Sequence, residues 1–294
     1  MHDAARMTRV LVTGAHGFLG RHAVPALRAA GYAVWPVPAG SDLLDPAVRR
    51  RVVAEAGASH LLHLAWIATP GVYWRAPANL DWVAASLDLL RLFGAAGGTR
   101  AVLAGSCAEY AWGPPRLAED APCEPATLYG AAKDATRRLA MAYAREAGLS
   151  VAWARLFFLY GPGERPGRLV SDAIAALRAG EAFPTSVGSQ RRDFLHVADA
   201  AQALVTLLGS AAMGAVNIGS GEAVTVRSLL GTLADRLGGR GLLQFGARPM
   251  AVGDPAVIEA DVTRLSQETG FLPRFDLAAG LVDSIAAAMA QDSA

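Results

Sequence analysis

Lysine is almost missing from this sequence: among 294 residues, 26 arginines carry nearly all the positive charge and a single lysine, Lys133, stands alone. A residue type replaced everywhere but once is kept for its chemistry, because a compact ammonium on a flexible stem reaches a hydroxyl or a phenol where a planar guanidinium does not fit. Cysteine is scarce as well. Two residues, Cys107 and Cys123, exclude a disulfide-stapled scaffold and point to a reduced, cytoplasmic protein. No apolar stretch reaches the roughly 20 uninterrupted residues of a membrane helix, since Arg, Asp or Gly breaks each Ala-rich segment, and residues 1–6 hold no apolar signal core. Charge of one sign is also lacking: 27 basic and 26 acidic residues are spread along the chain for a net charge of +1, which leaves no footprint for nucleic acid or anionic membrane. A small-molecule partner is what these absences leave, and no metal is expected.

What is present is an apolar, globular composition, 53% hydrophobic and 18% charged, without low-complexity tracts and without repeats of solenoid period. Apolar runs that read as strands (9–13, 33–37, 60–65, 100–105, 151–157) alternate with segments of helical periodicity (18–30, 46–56, 79–96, 128–147). Repeated βα units imply an α/β fold of the Rossmann type, a doubly wound parallel sheet with helices on both faces. After Tyr160 the rhythm loosens into the Gly- and Pro-rich loop 161–167, and a second module begins. Helices are expected at 169–179, 196–208, 225–237 and 277–289, with one more strand at 215–218. The division expected is a dinucleotide-binding domain over 7–160, to which 191–220 returns, and a smaller C-terminal α/β portion, mainly 161–294.

Between the first strand and first helix, Thr13-Gly14-Ala15-His16-Gly17-Phe18-Leu19-Gly20 spaces three glycines three residues apart. Gly14, Gly17 and Gly20 there permit a tight turn, close approach of backbone to a pyrophosphate and close helix-to-strand packing. The helix opening at Phe18 and Leu19 offers unpaired N–H groups and a positive dipole end to the same anion. A glycine cluster can merely turn a chain, but its place after a strand, before a helix and ahead of further βα units favours dinucleotide binding. The second strand ends Val34-Trp35-Pro36-Val37-Pro38-Ala39, without the carboxylate that would hold the ribose hydroxyls of NAD. No arginine takes its place, and Arg21 and His16 are the nearest helpers. NADP is therefore expected over NAD.

Lys133 follows Tyr129 by four residues, so both side chains share one helix face. With six tyrosines in the chain, chance puts one four residues before the only lysine about one time in fifty, so a surface Tyr over a solvated Lys is the weaker reading. A free phenol titrates near ~10, and one that moves protons near neutrality needs a positive charge beside it. Lys133 and an oxidised nicotinamide would supply that charge. Tyr129 would then protonate a carbonyl oxygen as hydride arrives, or take a hydroxyl proton in the reverse direction.

With these residues in hand, the chain resembles the extended short-chain dehydrogenase/reductase superfamily, also called the NAD-dependent epimerase/dehydratase family, along nearly its whole length. Matching blocks follow in order: the glycine turn, Asp42-Leu43, His63-Leu64-Ala65, the Tyr/Lys pair, Tyr160-Gly161-Pro162, Arg192-Asp193-Phe194-Leu195-His196-Val197, Asn217-Ile218-Gly219-Ser220-Gly221, and 261–264. The resemblance implies that Ser106, four residues before Tyr110, hydrogen-bonds the reacting oxygen. It further implies that Asp42 contacts adenine and that Leu43, Leu64 and Ala65 line the cofactor. The C-terminal portion would bind substrate, with Arg192, Arg248 and Arg264 holding the diphosphate of a nucleotide sugar. Two positions depart from the pattern: Phe158 and Trp82 replace asparagines, and Phe158 would give the substrate pocket an apolar wall. The Asp-Glu pair of a 4,6-dehydratase is replaced by Cys107 and Ala108, which argues against dehydration. Glu109 comes one place later; it is carried as a substrate-side candidate, although its register turns it elsewhere. The expected reaction is reduction of a keto group on a nucleotide-activated deoxy-sugar by NAD(P)H. The alternatives are an epimerase with tightly bound NAD and a non-catalytic dinucleotide-sensing member. The helices from Asn79 and Leu128 match a pair that forms dimer contacts in the family, so a homodimer is expected.

Overall fold

Strand and helix alternate through the first half of the chain, and the computed structural model describes residues 7–291. Residues 1–6, read above as lacking a signal core, lie outside the described residues. In chain order the elements are β1 (Arg9–Thr13), α1 (Gly20–Ala29), β2 (Ala33–Pro36), α2 (Pro46–Ala56), β3 (His60–His63), α3 (Ala78–Ala95), β4 (Arg100–Ser106), β5 (Arg116–Leu117), α4 (Leu128–Ala147), β6 (Ser150–Leu156) and β7 (Phe158–Tyr160). There follow α5 (Leu169–Arg178), β8 (Phe183–Thr185), β9 (Arg191–His196), α6 (Val197–Gly209), β10 (Gly214–Ile218), β11 (Ala223–Thr225), α7 (Val226–Leu237), β12 (Leu243–Phe245), β13 (Val257–Ala260), α8 (Thr263–Thr269) and α9 (Leu277–Gln291).

Six parallel strands form the main sheet in the order β10-β6-β4-β3-β1-β2. Both faces are covered, which is why its strands read as continuous apolar runs instead of alternating ones. Side chains still alternate in direction: Val10, Val12, Leu62 and Val102 pack with α1 and α6 on one face. Leu11, Leu61, Ala101 and Leu103 pack with α2, α3 and α4 on the other. From β1 the chain runs outward to β2 and then returns to place β3 on the other side. The strand order therefore reverses at the carboxyl ends of β1 and β3, and a crevice for ligand opens there.

A second sheet, β11-β9-β13-β5 with β7 paired to β9, leads to the smaller core. That core joins α5, α7 and α9 around Tyr160 and Leu281. The buried carboxylate of Asp193 ties the sheet to the β10–β11 turn. It accepts Ser220 N–H at 2.6 Å, Gly221 N–H at 3.0 Å and Ala260 N–H at 3.1 Å. Within 191–220, α6 and β10 join the main sheet while β9 belongs to the smaller one. Helix α1 starts at Gly20, two residues later than the periodicity suggests, because Phe18 and Leu19 are still part of the turn. Helix α6 starts at Val197 because His196 ends β9 and caps the helix, its Nδ1 accepting Ala198 N–H at 3.4 Å.

Candidate active site

The glycine turn lies at the carboxyl end of β1 and is packed too tightly for side chains. Gly14 has φ +67°, and a Cβ there would stand 2.8 Å from Ala65 N; at Gly20 a Cβ would stand 2.1 Å from Gly14 O. Backbone from β1, α1 and the end of β3 is thereby drawn into one cradle containing Gly14, Gly17, Leu64 and Ala65. No side chain caps α1 and no acid sits in its first turn, so its positive end is left for an outside anion. A dinucleotide diphosphate fits that cradle. The segment between β2 and α2 is braced by a residue that sequence reasoning missed: buried Arg49 donates to Leu43 O at 2.7 Å and Leu44 O at 3.0 Å and pairs with Asp88 at 2.8 Å. Exposed Asp42 folds its carboxylate onto Leu44 N–H at 2.9 Å.

Beneath the cradle, Thr13 Oγ accepts the N–H groups of Leu64 at 3.1 Å and Ala65 at 3.2 Å and stands 2.7 Å from His63 Nδ1. Both lone pairs of that hydroxyl are used, so its proton goes to Nδ1 and His63 donates from Nε2 to Ser86 Oγ at 2.9 Å. Burial, with the charge of Lys133 adding to it, lowers the His63 pKa to about 3. The ring is therefore a neutral spacer.

Ser106 ends β4, and α4 is pressed against the turn that follows. Gly130 allows this, since a Cβ there would be 2.2 Å from Ala108 O. Thr127 caps the helix by accepting Gly130 N–H at 3.1 Å. The result brings Ser106, Tyr129 and Lys133 together. Lys133 Nζ donates to Ala104 O at 2.8 Å and lies 5.9 Å from the Tyr129 ring centroid. Burial pushes the Tyr129 phenol above its ordinary range, and the nearby Ser106 hydroxyl pulls it part of the way back. Lys133 is only 4% exposed, and burial lowers its pKa to about 7 against an opposing pull from Glu109.

Aromatic side chains from the loop between β3 and α3, which sequence reasoning also missed, roof this cluster. Tyr73 and Trp74 meet the Tyr129 ring edge-on at 4.8 and 5.6 Å, and Tyr129 N–H donates to Trp74 O at 3.1 Å. The Trp66 ring covers Lys133 Nζ at 3.7 Å. Buried Asn79 holds the loop in shape, accepting Trp66 Nε1 at 2.8 Å and donating to Tyr73 O at 2.7 Å and Ala76 O at 2.9 Å. The available signal was three large aromatics crowded into one connection, an unusual concentration for a segment that would otherwise be solvated.

Two substrate-side expectations require correction. Glu109 is fully buried, with Ser106 N–H at 2.7 Å, Trp153 Nε1 at 2.9 Å and Arg155 Nε at 2.9 Å all donating to it. It faces the interior behind the cluster and offers no oxygen to the cleft. Arg264 donates to Met213 O and Ala215 O, where β10 begins, and pairs with Glu268. That is the amino end of the sheet, opposite the crevice, so it is out of reach of a diphosphate there. Arg192, 5% exposed, lies beside Phe158 with 5.8 Å between guanidinium and ring. Asp254, Arg191 O and Pro255 O take three of its five N–H bonds. Arg248 is exposed on the 246–256 loop. Half-buried Phe158 packs on Phe194 at 5.9 Å.

A diphosphate cradle opening on a phenol, a hydroxyl and an enclosed ammonium is the equipment of a dinucleotide-dependent enzyme for alcohols and carbonyls. Comparison with known proteins narrows this. The sequence model of the NAD dependent epimerase/dehydratase family matches residues 10–219, and the chain belongs to that family. It is 29% identical to a UDP-glucose 4-epimerase of Azospirillum brasilense over 96% of this chain and 92% of that one. Among solved structures it is similar to MoeE5 in complex with UDP-glucose and NAD, at 33% identity and TM-score 0.83, covering 96% of this chain and 99% of the other. It is also similar to the UDP-glucose 4-epimerase of Thermotoga maritima with UDP-glucose, at 25% identity and TM-score 0.88, covering 97% and 99%.

Proposed function

We propose that this enzyme is a nucleotide-sugar epimerase that inverts a secondary alcohol through a transient ketone, with NAD retained between turnovers. The observation that carries the reading is the convergence of Ser106, Tyr129 and Lys133 beside the Gly14–Gly20 cradle, in a chain two of whose relatives named above are UDP-glucose 4-epimerases. These relatives favour epimerisation over the ketone reduction expected from the sequence. Bound NAD supplies the hydride acceptor and then the hydride donor. Tyr129 takes the hydroxyl proton and returns it; Ser106 hydrogen-bonds the same oxygen and Lys133 holds the nicotinamide ribose and favours the phenolate. The aromatic roof keeps bulk water from the proton path. NAD is the better-supported cofactor, since the family is described as NAD dependent, the MoeE5 structure carries NAD, and nothing at Pro38 or Ala39 recruits a 2′-phosphate.

The test is to incubate the protein with UDP-glucose, UDP-glucuronic acid and 4-keto-6-deoxy nucleotide sugars, with NAD or NADPH. Isomerised product without net change at the reduced-nicotinamide absorbance is expected. Stoichiometric loss of reduced cofactor with the keto sugars, and no isomerisation in the panel, would replace this reading with ketone reduction.

In the same reading, residues 7–160 with α6 and β10 hold the dinucleotide and most of 161–294 holds the sugar nucleotide, Arg192 and Arg248 on its diphosphate side and Phe158 as an apolar wall. The α3–α4 face is the dimer contact: Leu80 and Leu139 are 59% and 53% exposed there, and Leu87, Leu90 and Tyr143 line a depression between the helices. Light scattering should give the mass of two chains; one chain's mass at micromolar concentration rejects the dimer. Cys107 and Cys123 are free thiols. No helix among the described residues is long and apolar enough to cross a membrane.

A further inference from the structure

Glu109 invites a question that the reaction does not answer. Replacing a buried ion pair by apolar side chains of similar volume is often neutral or stabilising, so a fully buried carboxylate calls for a role beyond filling space. The surroundings have been shaped to admit it. A Cβ at Gly105 would stand 2.1 Å from Trp153 Nε1 and 2.7 Å from Glu109 Oε1, so only glycine leaves room for this pair. Glu109 Oε1 accepts the backbone N–H of Ser106, while Ser106 Oγ reciprocates on Ala108 N–H at 3.2 Å. The serine's strand end and the carboxylate are thereby locked together. Arg155 Nε closes on Oε2, and Arg137 approaches it at 3.8 Å.

On the other side of this anchor lies Lys133, whose ammonium has one carbonyl, Ala104 O, and the Trp66 ring in place of water. The titratable groups around it from each packed element are His63 at the end of β3, Cys107 and Glu109 after β4, and Tyr129 on its own helix. Neutral His63 contributes no charge, burial keeps the Cys107 thiol up at about 12, and the Tyr129 phenol is likewise held protonated. Lys133 holds Ala104 O while Glu109 Oε1 lies against Gly105, the next residue of β4, so Glu109 is the carboxylate set beside the lysine, and Arg155, with Arg137 near it, opposes the burial that would otherwise protonate Glu109.

We propose that Glu109 is a positioning residue: its carboxylate pins the strand end that presents Ser106 and supplies the negative charge that keeps the buried Lys133 ammonium protonated at working pH. The catalytic consequence rests on the proposed roles of Ser106, Tyr129 and Lys133, but the charge coupling is measurable without turnover. Because Lys133 is the only lysine, the full chain grown on lysine labelled with carbon-13 at Cε gives one side-chain resonance. Its shift against pH reports the Lys133 midpoint directly.

Glu109→Gln keeps the acceptor for Ser106 N–H and removes the charge. In the folded variant the Lys133 midpoint is expected to fall by about one pH unit or more, and the alkaline limb of the activity profile should move down with it. Glu109→Asp keeps the charge one methylene further away, so a smaller fall is expected. A wild-type midpoint in folded Glu109→Gln overturns the proposal; should that variant not fold, a wild-type midpoint in Glu109→Asp overturns it. A lowered midpoint in a protein that turns over none of the sugar nucleotides upholds the coupling while rejecting the assigned activity.

Discussion

Tyr129→Phe should fold, bind its dinucleotide and lose turnover by about 10³-fold or more, the loss expected when the acid–base group itself is removed. The ring's packing is retained: Phe keeps the edge-on contacts to Tyr73 and Trp74, and the Tyr129 N–H bond to Trp74 O belongs to the backbone. Only the hydroxyl, which faces Ser106, is lost, so melting temperature should stay within a few degrees of wild type. The cradle at Gly14 and Gly20 is untouched, and dinucleotide affinity measured by calorimetry should change little. Turnover within tenfold of wild type would remove Tyr129 from the chemistry. Loss of both turnover and dinucleotide binding would make it a structural residue. A dinucleotide-sensing protein without catalysis would show no activity to lose, and the wild-type assay separates that case.

The part of this site legible in the sequence is the part carried by local spacing. Four residues along a helix put Tyr129 and Lys133 on one face, and three glycines between a strand and a helix announce a phosphate cradle. Such patterns depend on backbone geometry within one element, and the parallel sheet follows from the same alternation. What stayed hidden depends on where a side chain goes after leaving its element. Glu109 sits one residue past the Cys107-Ala108 pair that the family resemblance puts on the substrate side, yet a short 3-10 turn after β4 swings it inward to Trp153 and Arg155, more than 40 residues away in sequence. Arg264 lies in a block that suggests phosphate binding, but the carbonyls it meets are decided by how α8 packs against β10. Trp66, Tyr73 and Trp74 belong to a connection without periodicity, and only the fold shows that it closes over Tyr129, held there by Asn79 in the first turn of α3. The strands β5, β7, β8, β9, β11, β12 and β13 were missed for a related reason: their pairing partners are distant, and all but β9 hold only two to four residues, too few to leave a pattern.

The lysine makes the second large effect one of opposite signs. Lys133→Met should abolish activity, because the ribose partner and the charge beside the phenol go together, and should also make the protein more stable at neutral pH. The folded pKa of Lys133 is lowered by burial to about 7 from the ordinary lysine value of 10.5. Between these values the unfolded chain binds more protons than the folded one, so stability rises with pH through that window, by at most ~1.4 kcal/mol per pH unit from this group. Below pH 7 both states carry the proton and the full penalty, about 5 kcal/mol, is present. Methionine removes that penalty while filling similar volume against Trp66. It also leaves Ala104 O without its donor, a loss of about 1–3 kcal/mol. The net expectation is a gain of about 2 kcal/mol at pH 7 that shrinks towards pH 10, where wild-type Lys133 no longer needs its proton. Chemical denaturation of both proteins at pH 7, 8.5 and 10 measures this directly. A Met variant that is less stable than wild type at every pH would mean that the ammonium is held by enough partners to offset its dehydration, and that the lysine is retained for the fold as well as for the reaction.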